Sequence, residues 1–346
     1  MSTTFNLTSE FPWWKEPSRE QWKAWIAAWL GWTLDAFDFT VFLLIMLPIS
    51  QEFHVPLTAV TAVFTLTLWM RLVGATASGW LADRIGRKLP LMISIGWRGL
   101  LMIGVLPALS IVYVRRFVKE PPVWVENRRL QRTQQREVRV PLAKIFRRGL
   151  LYNTLTACWW MASAFIVGYS VGGMFPTYLQ KDLQLSPALV ALPVMLQSTV
   201  FFLSGSFWGM VADRVGRRIA IIIPALLTIP VAPLYLLTGD YTMIVVWFTV
   251  QGAFGGGGMH TLYPAYLSER FPTEVRATAS GFVYHQGAIF GGLTAPVITY
   301  FAVNWHTGFA IPMLVGTVLA SISVALAVMA GPETRGKILT AELSVA

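Results

Sequence analysis

Eight stretches of this chain, at about residues 24–49, 58–82, 151–175, 188–211, 219–237, 242–266, 278–301 and 308–330, are almost unbroken runs of apolar side chains. Each is long enough to cross a bilayer as a helix, which takes roughly 20 residues. That succession leaves one kind of fold open. No water is present in the hydrocarbon to satisfy backbone N–H and C=O groups, so each segment must bond its own, and the spans predict an all-α polytopic membrane protein. Composition agrees, since 55% of residues are hydrophobic and only 13% charged, more apolar matter than a soluble chain of 346 residues can hide. A ninth apolar stretch, 89–114, carries Arg98 near its middle. A buried arginine there costs roughly 3 kcal/mol or more in lipid, so this stretch is expected either to cross or to fold back.

The charge of +10 sorts by side rather than by surface patch. If the N-terminus is cytoplasmic and the eight spans alternate, Arg71 and Arg98 lie in apolar stretches, Lys181 faces out, and the other 24 of 27 basic residues face the cytoplasm. Bases confined to short loops between apolar runs do not make a nucleic-acid surface. They orient the chain. The first 20 residues are polar and carry Trp13 and Trp14, which predicts an N-terminal tail rather than a cleavable leader. A single cysteine, Cys158, inside an apolar run offers neither a disulfide nor a metal cage, and no cofactor or metal is expected. The loop 115–150, with eleven bases, three acids and Pro121-Pro122, is expected to link two membrane domains on the cytoplasmic side.

A charged cluster interrupts the apolar pattern twice. Residues 79–88 read GWLADRIGRK and residues 209–218 read GMVADRVGRR, so Gly79, Ala82, Asp83, Arg84, Gly86 and Arg87 recur as Gly209, Ala212, Asp213, Arg214, Gly216 and Arg217. The two glycines Gly79 and Gly209 would let a neighbouring helix approach closely, and the two aspartates could face a positive helix N-terminus. This repeated loop resembles that of the major facilitator superfamily, as does SERFPTEVRATASGF at 268–282. The resemblance implies two six-helix halves that rock about a central site, with the repeated loops as latches between the halves.

WIAAWLGWTLDAFDFTVFLLIMLPI, in the first span, resembles the opening helix of the sialate:proton symporter branch of that superfamily. Asp35 and Asp38 are three residues apart and share one helical face, and intramembrane carboxylates are functional by default. The resemblance implies proton coupling and a small organic anion as substrate, such as sialic acid or a small carboxylate. Arg71 could bind an anion or neutralise an aspartate of the neighbouring helix. Gln251 and His260 flank GAFGGGGMH, and His285 with Gln286 sits in FVYHQGAIFGG. These polar pairs either line the substrate cavity or tie helices together. The run of four glycines, 255–258, lacks the strand before it and the G-K-[ST] after it that a phosphate loop needs, and is expected to let helices cross closely.

The two copies of the cluster start 130 residues apart, too few for the six spans the resemblance places between them. RKLPLMISIG is similar to the start of helix 3 and GWRGLLMIGVLPALSIVYVRRFVKEPP to helix 6, joined at Gly96-Trp97, with nothing to match helices 4 and 5. The expected organisation is therefore a cytoplasmic tail at 1–23, a shortened N-terminal transmembrane bundle at 24–114, the central loop at 115–150, a C-terminal six-helix bundle at 151–330 and a second cytoplasmic tail at 331–346. Two functions stay open on this reading. One is a proton-coupled organic-anion symporter, a monomer in the inner membrane with both termini in the cytoplasm. The other is a transport-inactive membrane protein that only binds ligands or partners.

Overall fold

The computed structural model describes residues 122–134 and 141–337, together with 49–63 and ten further positions between 18 and 69. Asp35, Asp38, Arg71, the first charged cluster from Gly79 through Asp83, Arg84, Gly86 and Arg87, and the stretch 89–114 lie outside the described residues. Two short helices, α1 (Pro122–Thr133) and α2 (Pro141–Ile145), occupy the linker. Each opens on a proline, whose missing N–H costs nothing in the first turn.

The C-terminal bundle follows: α3 (Arg148–Gly168), α4 (Phe175–Lys181), α5 (Pro187–Val215), α6 (Arg217–Leu236), α7 (Tyr241–Gln251), α8 (Gly257–His260), α9 (Tyr263–Arg270), α10 (Arg276–Gly292), α11 (Thr294–Asn304) and α12 (Ala310–Ala330). These helices fall on the six apolar stretches expected between 151 and 330. Five units among the described residues are long and apolar enough to cross a membrane: Arg148–Lys181, Pro187–Val215, Arg217–Leu236, Arg276–Asn304 and Ala310–Ala330. The sixth stretch is helical but broken. A π-helical turn, Gly252–Gly256, separates α7 from α8, and Thr261 and Leu262 separate α8 from α9.

Two other spans also break along their length. A π-helical turn at Tyr169–Gly173 lies between α3 and α4, and Leu293 interrupts α10 and α11. Helix α3 packs between α10 and α12, while α6 packs against α12, α7 and α5. Hydroxyls close backbone positions inside the spans, with Thr299 Oγ1 donating to Ala295 O at 2.8 Å and Thr317 Oγ1 to Met313 O at 2.7 Å. Buried aromatics fill the centre. Trp160 meets Tyr263 and Tyr266 edge-on at centroid distances of 5.2 and 4.9 Å, and Phe175 stacks on Phe248 at 3.5 Å.

Three of the four glycines, Gly256, Gly257 and Gly258, behave as expected. A Cβ on Gly256 would lie 2.0 Å from the Phe201 ring, on Gly257 2.7 Å from Phe201 O, and on Gly258 2.4 Å from Pro224 Cβ. Helix α8 is thus wedged between α5 and α6, at a separation only a missing side chain permits. Gly209 differs from its expectation: nothing among the described residues lies within 4 Å of a Cβ there. The close approach in α5 belongs to Gly205, whose Cβ would sit 2.6 Å from Thr261 Cγ2. The two residues are four apart on one face of α5, and the Thr261 side chain that crowds Gly205 does not extend along it to Gly209.

Candidate functional site

The second charged cluster closes one end of the bundle. α5 ends at Val215, and the chain turns at Gly216 with φ of 101°, a backbone region that L side chains avoid. α6 then starts at Arg217 with its first N–H groups unbonded, as at any helix start. Glu333, beyond α12, supplies the acceptor: its carboxylate takes the Arg217 N–H at 2.9 Å and the Arg218 N–H at 3.1 Å. A Cβ on Gly216 would stand 2.7 Å from Glu333 Oε2, so glycine serves both the turn and the contact.

Among the described residues Asp213 keeps to its own loop. It sits in the last turn of α5, 70% exposed, and pairs with Arg217 Nη1 of its own loop. The N-terminus of α6 faces the chain after α12, where Glu333 accepts its first N–H groups. Arg214 is in the same turn and exposed.

Arg217 is the hub. Its guanidinium, only 16% exposed, holds the Glu269 carboxylate with Nη2 at 3.0 Å from Oε1 and Nε at 3.2 Å from both oxygens. Thr334 Oγ1 donates to Glu269 Oε2 at 2.6 Å. Next to it Arg270 is buried, with Nε on Asn153 Oδ1 at 2.8 Å and Nη2 on Asn153 O at 2.9 Å. Arg218 Nε reaches Val328 O at 3.2 Å. Together these bonds tie the ends of α3, α5, α6, α9 and α12 into one polar plate. Glu269, Arg270, Asn153 and Glu333 were not singled out in the sequence, although Glu269 and Arg270 lie in the SERFPTEVR segment that was. Glu333 is an acid in a Gly-Pro-Glu-Thr sequence directly after an apolar run, which is its one local signal.

Burial works to raise the Glu333 pKa, but the N–H groups of Arg217, Arg335, Arg218 and Thr334 outweigh it, and the pKa falls below the usual glutamate range. A lowered acid pKa contributes stability above the unfolded pKa, and that contribution disappears as pH falls through the folded one. The melting temperature advantage of the chain over Glu333→Gln is therefore expected to be full at pH 7 and to shrink as pH falls below about 4.3. Thermal melts of both in detergent at pH 7 and pH 4 check this; an advantage that grows on acidification would contradict the capping role.

The cavity candidates divide. Gln286 is buried, and its Nε2 donates to Cys158 O at 2.8 Å and Val283 O at 2.9 Å, so it ties α10 to α3. His260 Nδ1 lies 2.9 Å from Gly255 O, on the bulge of its own span, and its Nε2 is 3.3 Å from where a Cβ on Gly168 would be. His285 is half-buried beside Tyr284, with ring centroids 5.2 Å apart. Gln251 is fully buried, and among the described residues neither atom of its amide has a hydrogen-bond partner. Its Nε2 would stand 2.7 Å from a Cβ on Gly255, so the amide lies inside the bundle next to the π-helical turn. Among the described residues no group of three or more His, Cys, Asp or Glu is placed to hold a metal ion.

Six apolar helical stretches, three of them broken, and a charged plate built on the repeated loop are what the geometry presents. A sequence profile described as Major Facilitator Superfamily matches residues 159–343, more than half the chain. The chain belongs to the major facilitator superfamily. It is thus a multi-pass membrane transporter and not an enzyme. Among its relatives in that superfamily, the sialic acid transporter NanX of Escherichia coli is 21% identical, over 96% of this chain and 99% of that protein. A probable 4-methylmuconolactone transporter of Cupriavidus pinatubonensis is 23% identical, over 94% of each. The cis,cis-muconate transport protein of Acinetobacter baylyi is 25% identical over 68% of this chain and 58% of its own length. The NanX alignment runs over 414 positions, 68 more than this chain has residues, so NanX carries at least that much sequence without a counterpart here.

Proposed function

We propose that this chain is a secondary transporter of a small organic anion, coupled to protons and working by alternating access, in a cell's inner membrane with both termini in the cytoplasm. The reading is carried by the intact polar plate around Arg217, which joins five helix ends into one rigid unit of the kind a rocking half requires. The names of the relatives add to it, since sialic acid and cis,cis-muconate are both organic anions. In this reading Asp35 and Asp38 face a water-accessible cavity and exchange the coupling protons, because two carboxylates on one turn facing lipid would be very costly. Arg71 attracts the anion from the same half, and His260 and His285, both half-buried, are the titratable candidates in the other half. The exposed Asp213 and the repeat at Asp83 act as latches between the halves. The molecule works as a monomer.

One observation favours a second reading, a transport-inactive membrane protein. The 68 or more unmatched positions of NanX fit a first half that lacks helices 4 and 5, so that the cavity loses two walls. Reconstitution separates the two. Purified chain in liposomes with an inward proton gradient is expected to accumulate labelled sialic acid, cis,cis-muconate or lactate above equilibrium, and the Asp35→Asn/Asp38→Asn variant to lose that accumulation. No accumulation of any of them by a helical, monodisperse chain would overturn the symporter reading in favour of the inactive one.

A further inference from the structure

The described part of the first half reaches the C-terminal bundle through two side-chain hydrogen bonds. Thr65 Oγ1 donates to Gly292 O at 2.6 Å, closer than the Thr61 O of its own helix at 3.0 Å, and Trp69 Nε1 donates to Ile289 O at 3.2 Å. The two donors are four residues apart, hence on one helical face. Thr65 is 6% exposed. Their acceptors are not arbitrary backbone oxygens. In an unbroken helix Ile289 O would accept from the N–H of Leu293 and Gly292 O from that of residue 296. Here the Leu293 N–H turns back to Phe290 O, at 3.2 Å, because α10 ends there. Residue 296 is Pro296, which has no N–H to give. The break between α10 and α11 therefore takes from two carbonyls their i+4 donors at membrane depth, where an unsatisfied group is costly. Thr65 and Trp69 supply the two missing donors from the other half of the molecule.

We propose that Thr65 and Trp69 form a polar clasp that holds the first half against the broken α10–α11 span, and that this clasp must open whenever the halves rock apart. The inference rests on the alternating-access reading. The clasp is selective for one conformation because its acceptors sit at the break, whereas in a regular helical turn each carbonyl has an N–H four residues on to accept from. A sequence search for charged partners would not find it, since one partner in each bond is backbone and the other side chains are neutral.

The test places spin labels on Val63→Cys and Val297→Cys, both exposed positions, in a Cys158→Ser background, and measures the interlabel distance distribution in nanodiscs. The unaltered clasp is expected to give one dominant short distance. Thr65→Val, which keeps shape, with Trp69→Phe, which keeps an aromatic ring but a smaller one, removes both donors and is expected to lower the ratio of short to long distances by about tenfold. Thr65→Ser should restore most of it, because the hydroxyl returns. The single variants Thr65→Val and Trp69→Phe are each expected to give a partial shift, which keeps the inference open to refutation should the double variant not fold. An identical distribution in all variants would overturn the clasp. The distances need no substrate, so a chain that accumulates anion with unchanged distances refutes the clasp alone, and a chain that shifts but never transports refutes only the transport reading.

Discussion

Glu269→Gln is expected to lower the melting temperature of the detergent-solubilised chain by about 5–10 °C, from a loss of about 2–3 kcal/mol. The carboxylate is 14% exposed and the Arg217 guanidinium 16% exposed, so water replaces little of what is removed. Three short N–H contacts and the Thr334 hydroxyl converge on it. Breaking such a pair from one side leaves the other charge poorly solvated, and this accounts for most of the cost. The control is Asp213→Asn, which removes the other acid on the same arginine. Asp213 is 70% exposed, and an exposed pair contributes within about 1 kcal/mol, so its melting point should move by no more than about 2–3 °C. Thermal melts of the two variants side by side decide the matter; equal losses would mean that Arg217 is held by the loop as a whole and not by Glu269.

Gly252→Ala and Gly258→Ala should each cost about 1–3 kcal/mol and sharply reduce the yield of folded protein. At Gly252 the new methyl would lie 2.5 Å from the backbone oxygen of Gln197, and at Gly258 2.4 Å from Cβ of the Pro224 ring. Neither neighbour can rotate aside, so α5 or α6 would have to move. Gly256 is a weaker test, because its neighbour is the Phe201 ring, which has somewhere to turn. Gly209→Ala provides the opposite expectation. With open space around it and a helical backbone, alanine there should leave stability unchanged or raise it by about 0.5–1 kcal/mol. If Gly209 is where the other half approaches in a second conformation, the same variant lowers transport without lowering the melting point. Fluorescence-detected gel filtration after heating, together with uptake, distinguishes these outcomes.

What the sequence determined by itself was whatever the bilayer imposes locally. Each span must be apolar over a fixed length, so the six stretches from 151 to 330 could be placed to within a few residues, and the tetraglycine could be assigned to close helix crossing because only absent side chains allow it. The repeated loop was legible for a similar reason, since charges are rare in such a chain and two matching clusters stand out. Helix breaks were not legible. A π-helical turn or a one-residue interruption leaves hydrophobicity untouched, and nothing in the apolar run at 278–301 announces Leu293 except Pro296 three residues on. Only the tertiary structure decided which groups meet. Glu333 caps a helix that starts 116 residues earlier, and Thr65 reaches a carbonyl 227 residues away. Those pairings depend on how helices are arranged side by side, and one sequence carries no record of that arrangement.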